Sequence, residues 1–192
     1  MIYRLAGFSS EDETEWLEQR SLDEYQSLLD RLQMAKQGLH ELGIQEGVRQ
    51  ADTLTGILED YRSVVDTRFV GKKFTPVNYL NAAQTVQEHA IQNLTDVVAI
   101  GHSLSGLSRN RSTADNLDPK QAELFKEQQQ RVRALLDENT KLFNALTETA
   151  VEVANISSIS QFDRLDTLAR LVSLAEIANQ SGTPSWSCHS NT

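Results

Sequence analysis

A repeat of seven residues dominates the stretch from Pro119 to about Ser157, and it constrains the fold more than any other feature. The members of this repeat are Phe125, Val132, Asn139, Leu146 and Val153. Because seven residues make about two helical turns, these side chains share one face of an α-helix. We therefore predict a single helix here, roughly 58 Å long.

Two helix-start signals lie near the beginning of the chain. Ser21 and Glu24 form a capping box, which predicts a helix that continues to about Gly43. Ser10 and Glu13 form an earlier box, which predicts a short lead-in helix. Each signal indicates its own helix, so we expect a break between them.

Three further helices follow from spacing and start signals. Apolar residues at helical spacing predict a helix over residues 44–69. Thr75 and Pro76 open the next, because proline needs no hydrogen bond for its nitrogen in the first turn. Ser160 opens the last, which we expect to end near Ser181.

These helices predict an all-α protein, an elongated up-and-down bundle of about five helices with two long ones. The connections are short, so successive helices are expected to pack antiparallel, in the manner of a coiled coil. We divide the chain into an acidic lead-in over 1–20, one bundle domain over 21–180 and a polar tail over 181–192.

Composition excludes several functional classes. The chain has 192 residues, with 18 Lys and Arg against 27 Asp and Glu, a net charge of −9. An acidic chain lacks the cations that bind phosphates, so no nucleic-acid partner is expected. Its single cysteine forms no internal disulfide, which favours a reducing compartment. With no long apolar run, the prediction is a cytoplasmic protein.

The charge is unevenly distributed, and this pattern supplies the candidate binding residues. Residues 11–24 hold seven carboxylates and one arginine, whereas residues 61–74 hold four cations and one carboxylate. Such runs are typical of solvated surfaces or of docking faces for charged partners. The candidate partner-binding residues are Glu15, Glu18, Arg68, Lys72, Lys73, Arg109 and Arg111.

The string from Val97 to Gly106, VVAIGHSLSG, resembles the nucleophile elbow of α/β-hydrolases. That resemblance implies a strand-to-helix turn with Ser103 as the nucleophile. The pattern departs at Ser105, which stands where the elbow has its second glycine, and only His189 follows as a triad histidine. The alternative is a helix whose small residues let neighbouring backbones approach, with a kink or fraying near Gly106.

No catalytic, metal or cofactor site is expected. None of the histidines at 40, 89, 102 and 189 follows a glutamate by three residues, the spacing of helical di-iron sites. Gly71 and the lysines after it lack the remaining residues of a phosphate-binding loop.

Asn139 occupies an apolar position of the seven-residue repeat. A buried asparagine there lowers stability but fixes helix register or oligomeric state. The alternative is that Asn139 lies at the edge of the apolar face and contacts water. Both interpretations remain open from the sequence.

Aromatic residues alternate with cations between residues 61 and 79. This pattern occurs in single-stranded nucleic-acid binders, but the acidic total favours aromatic side chains that anchor a loop on the bundle.

The sequence therefore favours a non-enzymatic helical interaction module, an adaptor, assembly subunit or accessory factor. It would act through contacts with an unidentified protein partner, and homo-oligomerisation is left open. One alternative is a peripheral membrane or stress-response protein that binds anionic surfaces through the basic loops at 68–74 and 109–111. The remote alternative is a serine hydrolase that uses Ser103.

Overall fold

The computed structural model describes residues 10–68, 77–111, 119–155 and 166–181, and these form a helical bundle. The helices are α1 (Ser10–Glu41), α2 (Gln45–Arg68), α3 (Val77–Arg111), α4 (Pro119–Asn155) and α5 (Asp166–Ser181). No strand occurs within these ranges. The predicted all-α bundle with about five helices is confirmed.

Helix α1 differs from the prediction at its start. It runs without interruption through Ser21, so the lead-in and the first bundle helix are one helix of 32 residues. The predicted break at Ser21 is wrong. The sequence around Ser21 contains neither glycine nor proline, and a serine inside a helix is compatible with continued backbone hydrogen bonding.

Helix α1 ends in a Schellman turn. Gly43 has a φ of 71°, a left-handed conformation that costs glycine little. The amide of Ile44 donates to the carbonyl of Leu39 at 2.9 Å, and the amide of Gly43 donates to His40 at 3.1 Å. The turn reverses the chain and starts α2 beside α1.

Contacts along the α1–α2 pair keep a constant antiparallel register. Lys36 forms an ion pair with Asp52 near the turn. Farther from the turn, the Arg62 guanidinium lies over the Tyr25 ring at 4.8 Å. Helix α3 instead runs parallel to α1, because Gly38 faces Val98 while Leu42, farther along α1, faces Gly101.

Consecutive helices α2 and α3 are not the main packing partners of each other. Helix α2 packs chiefly against α1 and α4, whereas α3 packs against α1, α4 and α5. The limited direct contact of α2 with α3 includes Tyr61 and Tyr79, whose ring centroids are 5.6 Å apart.

The predicted apolar faces largely form the core. Fully buried members include Leu39, Leu54, Leu58, Ile91, Leu94 and Leu171. Leu22 and Ile177 belong to the apolar spacing of their helices but are 44% and 55% exposed. Leu22 lies at the edge of its apolar stripe, and Ile177 lies on the opposite side of α5 from buried Ala175.

Small residues make the close approaches that the sequence indicated. A Cβ added to Gly101 would lie 2.6 Å from a Leu42 methyl, and one added to Gly38 would lie 2.8 Å from a Val98 methyl. Gly47 meets Leu39 in the same way, with 2.6 Å to a methyl. Gly38 and Gly101 let α1 and the α1–α2 turn pack closely on α3, and Gly47 lets α2 pack closely on α1. The helix continues past Gly106 to Arg111, so the expected fraying there does not occur.

Candidate interaction surface

A pair of buried asparagines connects α3 and α4. Asn139 is fully buried, and its side-chain amide donates to the backbone carbonyl of Ala90 at 3.1 Å. Its carbonyl oxygen accepts a hydrogen bond of 3.0 Å from Asn93, which is 3% exposed. Asn139 therefore lies in the core and not at the water-exposed edge of the apolar face, and its hydrogen bonds connect α4 to α3.

A second buried amide connects α2 and α4. The side-chain nitrogen of Gln50 donates to the backbone carbonyl of Leu136 at 2.8 Å. The Thr140 hydroxyl donates to the same carbonyl at 3.1 Å. Polar side chains of three helices therefore meet near the middle of the bundle, and sliding α4 along α2 or α3 would break these bonds.

His89 extends the polar contacts to the edge of the α3–α4 interface. Its Nε2 lies 3.0 Å from Glu138 Oε1, and the histidine side chain is 15% exposed. Asp96 lies seven residues after His89 on the same face of α3, and it accepts a hydrogen bond from Gln92 at 2.8 Å. His89 is thus an interhelical contact residue.

We call the part of the bundle in which α3 and α4 pack against the other helices the body. Beyond the body, α3 and α4 continue as a projecting pair that we call the arm, residues 102–111 and 119–131. Gly101 lies against Leu42 and Ile44 of the α1–α2 turn, so the rest of α3 passes the end of α1. Ten more residues correspond to about 15 Å of helix.

The start of α4 projects in the same direction. Gln50 of α2 lies beside Leu136 of α4. Helix α2 begins only five residues before Gln50, so the part of α4 before about Gln130 extends beyond the first residue of α2. No residue of α4 before Leu136 is buried. The two estimates agree, and the arm is a two-helix projection of about 15 to 18 Å.

The arm carries the same apolar repeat as the body, but less of it is covered. Asn139, Leu146 and Val153 of the repeat are at most 3% exposed. Phe125 and Val132, earlier in the repeat, are only half-buried. Leu124 beside them is 43% exposed. The repeat continues past the helices that cover it, which makes the arm the candidate interaction surface.

The predicted partner-binding residues do not form one cluster. Glu15 and Glu18 lie in the first turns of α1, and Arg68 ends α2 at the same end of the bundle. Arg109 and Arg111 lie at the end of α3, in the arm at the opposite end. Their side chains are outside the described part of the structure. Lys72 and Lys73 lie outside the described residues altogether.

The α1–α2 register brings part of the acidic run level with the end of α2. With Tyr25 beside Arg62, residues 19–24 of α1 lie about level with residues 63–68 of α2. Within these ranges, attraction between the two helices is an alternative to docking of a charged partner.

Ser103, the candidate nucleophile, is an exposed residue within α3. The strand-to-helix turn of a nucleophile elbow does not occur at this position. The glycine two residues earlier instead serves the close packing of α3 on the α1–α2 turn.

The Tyr61–Tyr79 pair fits the interpretation in which aromatic residues anchor the chain on the bundle. Burial raises the pKa of both phenols above the ordinary tyrosine value, and for Tyr61 the charge of Tyr79 adds to the effect. The Tyr61 hydroxyl donates to the carbonyl of Leu80 at 3.4 Å. The Tyr79 ring is buried and the Tyr61 ring is partly buried against it, so both pack on the bundle.

The described residues contain no group of three or more His, Cys, Asp or Glu side chains arranged to hold a metal ion. None of the described helices is long and apolar enough to cross a membrane. A depression of about 290 Å³ lies between α1 and α3, lined in part by Arg31, Gln84 and Glu88. Gln84 and Glu88 are hydrogen bonded to each other at 3.1 Å.

Comparisons with protein-family models, curated proteins and solved structures find no match to this chain. The fold and surface of the chain itself therefore carry the functional argument.

The sequence did not point to Gln50, Asn93 or the arm. Gln50 and Asn93 look like ordinary polar residues of amphipathic helices, and only their 5% and 3% exposure shows them to be core residues. The arm had a usable signal. The apolar repeat begins at Phe125, in the part of α4 that extends beyond the α1–α2 turn.

Proposed function

We propose that the chain is a non-enzymatic helical interaction module that contacts a protein partner through the arm. The observation that supports this proposal is that the apolar repeat of α4 is fully buried over only part of its length. The same apolar face is enclosed from Asn139 onward and half open at Phe125 and Val132. Helical faces of this kind are usually covered by another helix.

The polar contacts in the body support a scaffold role. Gln50 and Asn139 hold α4 against two different helices, so its position in the body is fixed. Because α4 is one continuous helix, the arm is presented on a fixed support. A preorganised surface loses little conformational entropy when it binds.

The test compares arm and non-arm variants in affinity capture from the native cell, with chemical crosslinking. Leu124→Arg places a charge on the arm, and Met34→Arg places the same charge on α1, where Met34 is 66% exposed. We expect a protein that wild type and Met34→Arg capture equally and that Leu124→Arg captures at least tenfold less. Equal recovery by all three proteins would remove the arm from the proposal.

Liposome flotation separates this function from the membrane alternative. The basic loops of that alternative adjoin Arg68 and Arg111, which end helices at opposite ends of the bundle. Both loops would contact one flat bilayer only if the bundle lay along it. We expect no flotation with anionic vesicles at low salt, and recovery with the vesicles would favour the membrane function instead.

A further inference from the structure

We draw no further inference here: the strongest candidate, the depression between α1 and α3 with Asp23, Glu24 and Glu88 in its lining, carries no ligand proposal, because these three carboxylates already have interactions within the chain and no other described residue of the depression points to a ligand.

Discussion

Asn139 donates its side-chain amide to the backbone carbonyl of Ala90 across 3.1 Å, in the middle of two long helices. The carbonyl of Ala90 is a helix-interior group, so this hydrogen bond is additional to the helical pattern. Because Asn93 in turn donates to Asn139, removal of either asparagine leaves a buried polar group of the other unpaired.

Substitution of the two asparagines tests whether they contribute to stability or to register. Asn139→Leu alone is expected to lower the free energy of unfolding by about 1 to 3 kcal/mol, since Asn93 loses its partner. The double variant Asn93→Leu with Asn139→Leu is expected to recover most of this loss. Urea denaturation of the four proteins in the cycle measures both effects. Additive losses in the double variant would show that the two residues act independently.

Two glycine substitutions are expected to change stability in opposite directions. Gly43→Ala should cost about 1 kcal/mol, because Gly43 has a left-handed backbone conformation. Gly106→Ala should add up to about 1 kcal/mol, since nothing lies within 4 Å of the new methyl group and alanine favours the helix. Thermal denaturation followed by circular dichroism provides the comparison. Destabilisation by Gly106→Ala would contradict the open environment at that position.

Stability is expected to fall in alkaline solution because of the buried tyrosines. Burial raises the pKa of Tyr61 and Tyr79 in the folded chain above the ordinary value of 10.0. At higher pH the unfolded chain releases the phenol protons while the folded chain retains them. Unfolding is therefore favoured as pH rises above about 10.

Tyr61→Phe provides the control for this pH dependence. The variant is expected to lose stability less steeply above pH 10, because one proton fewer is released on unfolding. Urea midpoints measured at several pH values give the two slopes. Parallel slopes for variant and wild type would assign the alkaline loss to other groups.

Hydrogen exchange is expected to distinguish the arm from the body. Amides of residues 102–111 and 119–131 should exchange faster than those from Leu136 to Val153, because only two helices support each other in the arm. Mass spectrometry of peptides from both parts gives the comparison. Equal protection in both parts would contradict the exposed position of the arm.

Periodicity predicted most of the fold because the core consists of continuous apolar faces. In α4, Leu146 and Val153 are buried where the seven-residue repeat placed them. Local start signals were less reliable. The residue types at Ser21 and Glu24 are compatible with a helix start and with continuation of α1, and a local pattern does not distinguish the two outcomes.

The site was harder to predict because it depends on the lengths of the helices and on where each helix ends relative to its neighbours. Asn139 drew attention from its place in the repeat, but whether it was buried depended on Asn93, 46 residues away. The arm is defined by where α1 and α2 end relative to α3 and α4. Such relative positions follow from pairing across the bundle, and neighbours in sequence do not encode them.

The three glycines at the α1–α2 turn define a test of kinship. Gly38, Gly47 and Gly101 each face a methyl group at 2.8 Å or less from an added Cβ. A distant descendant of the same ancestor can exchange its surface and most apolar residues, yet it is expected to keep small residues at these three places or to change the facing side chains with them. Their joint spacing provides a fingerprint with which to recognise relatives whose overall identity has eroded.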